Sequence, residues 1–300
     1  MMDSAMGVVA MTGASGLIGR HLRPALVDRP VILLGRSRID PASNETWRGF
    51  DLSGPVDLSF LPPGSSLCHM AYAMADGVQN VAYTHRAIEA VNRCDTVEHV
   101  VMLSSTSVYG ARVAGVIDED TPLRPDREYA RTKALCEKAW FNHLRSNCRL
   151  TVLRPTSVVA SDGPGLDALV NDALHHPARS VAKRFVQHRN TVHFVAVDNV
   201  VAAIAFALDR QGPSREVFVV ADDDAPENKS YATMQDHVRL LLGRGPLHVP
   251  PLPRLLEKPI GRVIGKPLGV GRRFSSRRIR EAGYVPRTAL ADMLRRDFGN

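Results

Sequence analysis

Glycines at 13, 16 and 19 lie in the run Thr12-Gly13-Ala14-Ser15-Gly16-Leu17-Ile18-Gly19, directly behind the apolar stretch GVVAMT at 7–12. A strand that runs into a glycine turn and then into a helical pattern, here to about Leu26, opens a βαβ unit. At such a turn the backbone N–H groups of the helix N-terminus face a pyrophosphate, and a Cβ stands in the way. The spacing is G-x-x-G-x-x-G rather than the G-x-G-x-x-G of other dinucleotide folds. Three glycines so spaced arise by chance in roughly one chain of this length in ten, so the position behind the first strand carries the reading. It predicts a parallel sheet and cofactor contacts at Gly13, Ser15, Gly16, Leu17, Ile18 and Gly19.

The rest of the first half repeats the alternation. Runs at 31–35, 47–52, 65–71, 97–105 and 150–156 predict strands, and residues 80–93 and 127–146 predict helices. Strands spaced by helical segments of roughly 10–20 residues predict parallel βαβ units. The expected class is α/β, a Rossmann-type doubly wound parallel sheet over residues 1–160. A smaller C-terminal mixed α/β lobe is expected over 161–300, with 183–215 returning to the sheet. After Pro155 the pattern turns irregular, at SDGPG (161–165), HHPARS (175–180) and PLHVPPLPR (246–254).

Composition enters as exclusion. With 44% hydrophobic and 23% charged residues, disorder, collagen-like repeats and coiled coils are ruled out. No apolar run approaches the ~18–20 residues of a membrane span, and Asp3 stands where a secretory leader carries a cation. The expectation is a soluble, cytoplasmic protein with no membrane partner. Cys68, Cys94, Cys136 and Cys148 form no C-x-x-C pair and no metal-like spacing with His, so packing thiols and no metal are expected.

The net charge of +7 comes from 38 Lys and Arg against 31 acids. Residues 254–296 hold twelve of the cations and three acids. Such a surplus is a solvated face, or it attracts nucleic acid, an acidic membrane surface or a phosphorylated molecule. No aromatic stacking motif accompanies it, so a nucleic-acid role is not expected. The second strand ends Gly35-Arg36-Ser37-Arg38 with no carboxylate before Asp40. An acid there would bind a ribose 2′-hydroxyl and an arginine a 2′-phosphate, so NADP is expected over NAD, with NAD possible.

Tyr129 and Lys133 sit at i and i+4 on one helix face. A free phenol titrates near 10, and a nearby cation favours its ionised form. The fifth strand runs into Ser104-Ser105-Thr106-Ser107-Val108-Tyr109-Gly110, at the carboxyl edge where doubly wound sheets bind ligands. A hydroxyl there is placed to share a substrate oxygen with Tyr129. The Ser104 and Ser107 hydroxyls read most simply as turn chemistry.

Taken together, T-G-A-S-G-L-I-G (12–19), Asp51-Leu52, His69–Ala73, Asn80-Val81 with Thr84, S-S-T-S-V-Y-G (104–110), Y-A-R-T-K (129–133), L-R-P-T-S (153–157), Val197–Val200 and S-S-R-R-I-R-E-A-G-Y-V-P (275–286) resemble the extended short-chain dehydrogenase/reductase family. That group comprises nucleotide-sugar epimerases, dehydratases and keto-reductases. The resemblance implies Ser105 as the catalytic hydroxyl, Tyr129 as general acid/base, and Lys133 as its partner and ribose holder. Beside Arg36 at the end of the second strand, cofactor contacts are expected at Asp51, Leu52, Met70, Ala71, Tyr72, Ala73, Gln79, Ser104, Tyr129, Lys133 and Thr156. Substrate contacts are implied at Ser105, Thr106, Tyr129 and Ser157.

Departures narrow the expectation. Thr106 and Ser107 stand where family dehydratases carry an acidic pair, so dehydration is not expected. The segment between Met74 and Asn80 is short, Ser157 stands where Asn is frequent, and the substrate-diphosphate arginine expected near Val192 is replaced by Arg189 at best. Arg272, Arg273, Arg277 or Arg278 would have to supply that charge. The expected activity is a 4-keto-reductase or 4-epimerase of a sugar nucleotide. The alternatives are an NADPH-dependent reductase of a hydroxysteroid- or flavonoid-like carbonyl, and a non-catalytic dinucleotide-sensing regulator. A homodimer through residues 80–93 and 127–146 is implied by analogy. His175, His176 and His193 are read as loop and packing residues, Trp47 and Trp140 as apolar fillers, and Tyr72 as pocket wall or surface.

Overall fold

The computed structural model describes residues 7–74, 77–163, 165–265 and 267–299. In chain order the strands are β1 (Val9–Thr12), β2 (Val31–Gly35), β3 (Glu45–Gly49), β4 (Ser65–His69), β5 (Val97–Leu103), β6 (Gly115–Ile117), β7 (Arg149–Pro155), β8 (Ser157–Val159), β9 (Phe194–Ala196), β10 (Arg215–Val220) and β11 (Arg272–Phe274). The helices are α1 (Leu17–Leu22), α2 (Gly77–Arg93), α3 (Glu128–His143), α4 (Asp167–His175), α5 (Pro177–Gln187), α6 (Val197–Asp209), α7 (Tyr231–Leu241), α8 (Arg254–Val263), α9 (Arg277–Glu281) and α10 (Leu290–Phe298).

Seven strands form one parallel sheet in the order β3-β2-β1-β4-β5-β7-β10. The order reverses between β1 and β4, so the chain leaves the sheet in opposite directions there and opens a crevice at the carboxyl ends of both strands. The architecture is the doubly wound α/β sheet that the alternation of apolar runs implies. The chain divides into two compact units. The first runs through Val108 and adds Pro125–Arg154 and Val201–Phe218; the second comprises Tyr109–Arg124, Pro155–Val200 and Val219 onward.

In the first unit the core gathers β1, β4, β5 and β7 side chains such as Ala10, Leu67, Val100 and Val152 against Ile88 and Val91 of α2 and Trp140 of α3. The buried positions of α2, including Asn80, Thr84, Ala87, Ile88 and Val91, recur at helical spacing and make one stripe. Gly77 lets α2 approach α3: a Cβ there would lie 2.9 Å from Glu128 Oε1 and 3.0 Å from Thr132 Oγ1. A buried ion pair fastens α3 to β7, Arg154 Nη2 donating to Glu137 Oε2 at 2.6 Å.

The third strand begins two residues before the apolar run that predicts it, at Glu45. Its carboxylate is buried but receives Arg23 Nη2 at 2.6 Å and the Ala42 N–H at 2.7 Å. A hydrophobicity pattern assigns Glu to a loop; a cation from α1's extension and a backbone donor reverse that.

The second unit has two small parallel ladders, β8 with β9 and β6 with β11. Its core joins Val159, Leu169 and Ala196 to Met234, Val238, Met293 and Leu294. The Asn199 amide donates to Asp222 Oδ2 at 2.9 Å and its oxygen accepts the N–H groups of Arg287 and Thr288, tying the C-terminal segment to α6. Among the described residues, no helix is long and apolar enough to cross a membrane.

Candidate active site

The glycine turn and the β4 end build one wall of a cavity of about 300 Å³ in the first unit. Gly13 has φ +77°, and a Cβ on it would lie 2.8 Å from the Ala71 nitrogen, so the turn and the β4 loop touch backbone to backbone. Gly19 lies flat on that turn: its Cβ would meet Gly13 O at 2.3 Å and Ala14 Cα at 2.7 Å. At Gly16 the nearest atom to a Cβ is Gly13 O at 3.3 Å, and Gly16 lines the cavity. It also opens α1 with no side-chain cap. Turn geometry, close packing and backbone approach are thus divided among the three glycines, and the donor set suits a pyrophosphate.

Thr12 ties this wall to His69. Its Oγ1 accepts the N–H groups of Met70 and Ala71, each at 3.2 Å, which leaves its own proton for His69 Nδ1 at 3.0 Å. The imidazole is therefore neutral with its proton on Nε2, in keeping with burial, which pushes His69 down to about 4. The adjoining wall holds Arg36, Phe50, Asp51 and Leu52. The Ser53 N–H binds Asp51 Oδ1 at 2.9 Å and keeps that carboxyl below its ordinary range, with the Arg36 charge a smaller contribution.

Asn80 closes the loop after β4 by a reciprocal pair: the Ala73 N–H donates to its Oδ1 and its Nδ2 donates to Ala73 O, both at 2.8 Å. Asn80, Tyr83 and Thr84 line the cavity, whereas Gln79 is not on its wall and accepts the Tyr83 hydroxyl at 2.5 Å. Asn80 carries only a place in the motif by sequence; helix phase turns it, and not Gln79, towards the cavity.

Lys133 lies deeply buried on the cavity wall, its Nζ donating to Leu103 O at 3.0 Å and standing 4.2 Å from the centre of the Tyr72 ring. Burial pushes the ammonium down to about 8. Tyr72 packs edge-on against Tyr129 with ring centres 5.2 Å apart, so it is a wall and not a surface aromatic. Burial raises the Tyr129 phenol, and a hydrogen bond with Ser105 opposes the rise. The lysine does not dominate the phenol as spacing alone suggests. Its nitrogen is 6.0 Å from the Tyr129 ring centre and is turned to the Leu103 carbonyl and the Tyr72 face.

The structure brings Gly13, Ser15, Gly16, Arg36, Asp51, Leu52, Met70, Ala71, Tyr72, Ala73 and Lys133 around one cavity. Leu17, Ile18 and Gly19 form the first turn of α1 beside it. Ser104 is held away from it, its hydroxyl donating to Glu137 Oε1 and its N–H to Leu153 O at 2.7 Å. Ser105 and Tyr129 pair with each other, while Thr106 is buried at the end of β5. Thr156 and Ser157 belong to the second unit, where their N–H groups bind Val220 O at 3.0 Å and His193 O at 2.9 Å. Pattern reading did not find Phe50, His69, Thr84 or Cys136 as cavity residues; each is apolar or buried and looks like core in sequence.

A second cavity, of about 330 Å³, lies within the second unit and is lined by His193, Asp223, Asp224, Lys229, Arg272 and Arg273 among others. Arg272 Nε donates to His193 Nε2 at 3.1 Å, so the histidine carries its proton on Nδ1 and gives it to Asp223 Oδ2 at 2.7 Å. His193 is packed, as its strand-like surroundings suggest, edge-on to Phe274 with ring centres 4.9 Å apart, and it is also a member of a polar cluster.

A family model described as the NAD dependent epimerase/dehydratase family matches residues 64–221, just over half of the chain. A curated relative, the 4-hydroxy-2-methyl-3-oxo-4-farnesyl-3,4-dihydroquinoline-1-oxide ketoreductase of Stigmatella aurantiaca, is 26% identical over 75% of this chain and 71% of its own length. Among solved structures, MoeE5 in complex with UDP-glucuronic acid and NAD has a TM-score of 0.72 at 22% identity, covering 96% of each chain. A short-chain dehydrogenase/reductase superfamily protein from Agrobacterium tumefaciens with bound NAD has a TM-score of 0.70 at 22% identity, covering 97% of this chain and 95% of its own. At those identities the structures speak for the fold, and the family model for membership: the chain belongs to the NAD-dependent epimerase/dehydratase family, the extended type of short-chain dehydrogenase/reductase.

Proposed function

We propose that the protein is an NAD(P)-dependent oxidoreductase acting on a nucleotide-activated sugar, as a 4-keto-reductase or a 4-epimerase. The observation that carries this reading is the hydrogen-bonded pair Ser105 and Tyr129 beside buried Lys133, which lines the cavity behind the glycine turn. The dinucleotide, when bound, supplies or accepts a hydride at its nicotinamide ring. Tyr129 gives or takes the proton at the substrate oxygen, and Ser105 donates to that oxygen as charge develops on it. Lys133, buried beside the pair with its Nζ on Leu103 O and the Tyr72 face, is the cation that would hold the nicotinamide ribose. A non-catalytic sensor has no use for this trio, which argues for chemistry.

Arg36 on the wall at the adenosine end supports NADP as the preferred cofactor. The second-unit cavity offers Lys229 to a phosphorylated substrate, whereas Arg273 is paired with Asp224 and Arg272 donates to His193 and to Gly110 O. A second reading is the reduction of a non-sugar carbonyl, favoured by the ketoreductase relative, whose named substrate is a quinoline oxide.

Thermal unfolding with NADPH or NADH, each with UDP, dTDP, GDP or CDP added, separates these readings, because a ligand of the native state raises the midpoint by mass action. A rise with NADPH and a further rise with one nucleoside diphosphate is the expected result. A cofactor response with no nucleotide response moves the substrate to the non-sugar class, and silence to both cofactors overturns the oxidoreductase reading.

A further inference from the structure

The helix α8 turns an aliphatic stripe outwards. Leu255 is 79% and Val263 87% exposed, with Leu256 and Ile264 exposed beside them. In the same register, Arg254, Lys258 and Arg262 repeat every four residues and are all exposed, so a cationic row runs alongside the aliphatic one. The sole acid in the sequence of the helix, Glu257, faces the protein and receives Arg189 Nη1 at 3.0 Å. The outward charge of α8 is therefore entirely positive.

The helix is anchored and not a loose end. The Leu252 N–H donates to Phe185 O at 3.0 Å, and Leu252 and Gly261 are buried. That bond sets the start of α8 against the end of α5, which itself exposes Phe185 and Val181. The exposed apolar surface thus spans two neighbouring elements.

We infer that α8 docks the protein on an anionic phospholipid surface, with Leu255, Val263 and Ile264 entering the acyl boundary and Arg254, Lys258 and Arg262 meeting phosphate headgroups. Aliphatic side chains next to long cationic ones on one surface helix match a bilayer interface, where the charged heads snorkel to the phosphates above buried stems. Charge complementarity selects an anionic leaflet. A nucleic-acid partner fits poorly, because phosphate contacts leave Leu255 and Val263, the most exposed side chains of the stripe, in water. The inference revises the expectation of no membrane partner, which rests on the absence of a spanning segment and does not address an interfacial helix. It stands independently of the substrate reading.

The test is flotation of the full-length protein with vesicles of phosphatidylcholine alone and of phosphatidylcholine with phosphatidylglycerol at about 2:1. Binding to the anionic vesicles alone is expected, weakened by salt and reduced at least about tenfold in the Leu255→Ser/Val263→Ser variant and in the Arg254→Gln/Lys258→Gln/Arg262→Gln variant. Both variants change exposed side chains, and an unchanged melting midpoint confirms that they fold. Failure of the wild type to float overturns the proposal, as does equal flotation of both variants. So does a fall in molecular mass of the Leu255→Ser/Val263→Ser variant without lipid, which assigns the stripe to a second copy of the chain. A cofactor response unchanged by the same variants keeps this outcome separate from that of the catalytic reading.

Discussion

In the proposed mechanism Tyr129 carries the proton and Lys133 the charge beside it. Removing the phenol oxygen in Tyr129→Phe is expected to lower kcat by about 10²–10⁴-fold while leaving dinucleotide affinity nearly unchanged, as titration of the purified variant would show. Since burial brings Lys133 to about 8 while raising Tyr129, the first proton lost on raising the pH is the lysine's. The reductive kcat/KM is therefore expected to fall above about pH 8, and Lys133→Arg, which keeps its charge, should move that limb upwards. A limb that stays put in the arginine variant would assign it elsewhere. Arg36→Ala should narrow the preference for NADPH over NADH, read as the ratio of the two dissociation constants. Spacing reveals Tyr129 and Lys133, because i and i+4 share a helix face. It does not reveal that Nζ turns to the Leu103 carbonyl, since side-chain direction depends on which acceptor tertiary packing supplies.

Among the elements, the β1–α1 turn is the most legible and the least tolerant. Gly19→Val would push a side chain into Gly13 and Ala14, where even a Cβ comes within 2.3 Å of backbone. The turn must open, and loss of dinucleotide binding with a lowered melting midpoint is expected. The pairing of α3 with β7 is the opposite case. Nothing in the spacing of Ser104, Glu137 and Arg154 marks them as partners, yet they form a buried network through long-range contact. Arg154→Met should destabilise the fold by about 3–5 kcal/mol, because it leaves the Glu137 carboxylate buried without its cation. Denaturant unfolding measures that directly. Glu45 at the start of β3 teaches the same lesson: a buried acid reads as loop until its partner is seen. That the sheet is parallel, by contrast, follows from the alternation of apolar runs with helical segments, since a parallel neighbour needs a crossover.

For the whole molecule, acid is the expected weakness. His69 and His99 are buried neutral and pushed down to about 4 and about 3, whereas in the unfolded chain they titrate near 6.5. Between those values the unfolded state binds more protons, so stability falls as the pH drops from about 6.5, the loss being complete below the folded values. At acid pH His69 costs on the order of 3 kcal/mol of stability and His99 on the order of 5, and His99→Gln should flatten the decline of the melting midpoint over that window. In the first unit, exposed Val78 on α2 and Leu135 on α3 suit the homodimer implied by resemblance; Leu135→Glu is expected to halve the mass seen by light scattering.

The central claim is that the first-unit cavity holds a dinucleotide against Tyr129. Calorimetric titration with NADPH and NADH tests it most directly. The account predicts one site per chain for the cofactor, tighter for NADPH, abolished in Gly19→Val and preserved in Tyr129→Phe. Absence of binding by either cofactor, or binding that Gly19→Val leaves untouched, would contradict it.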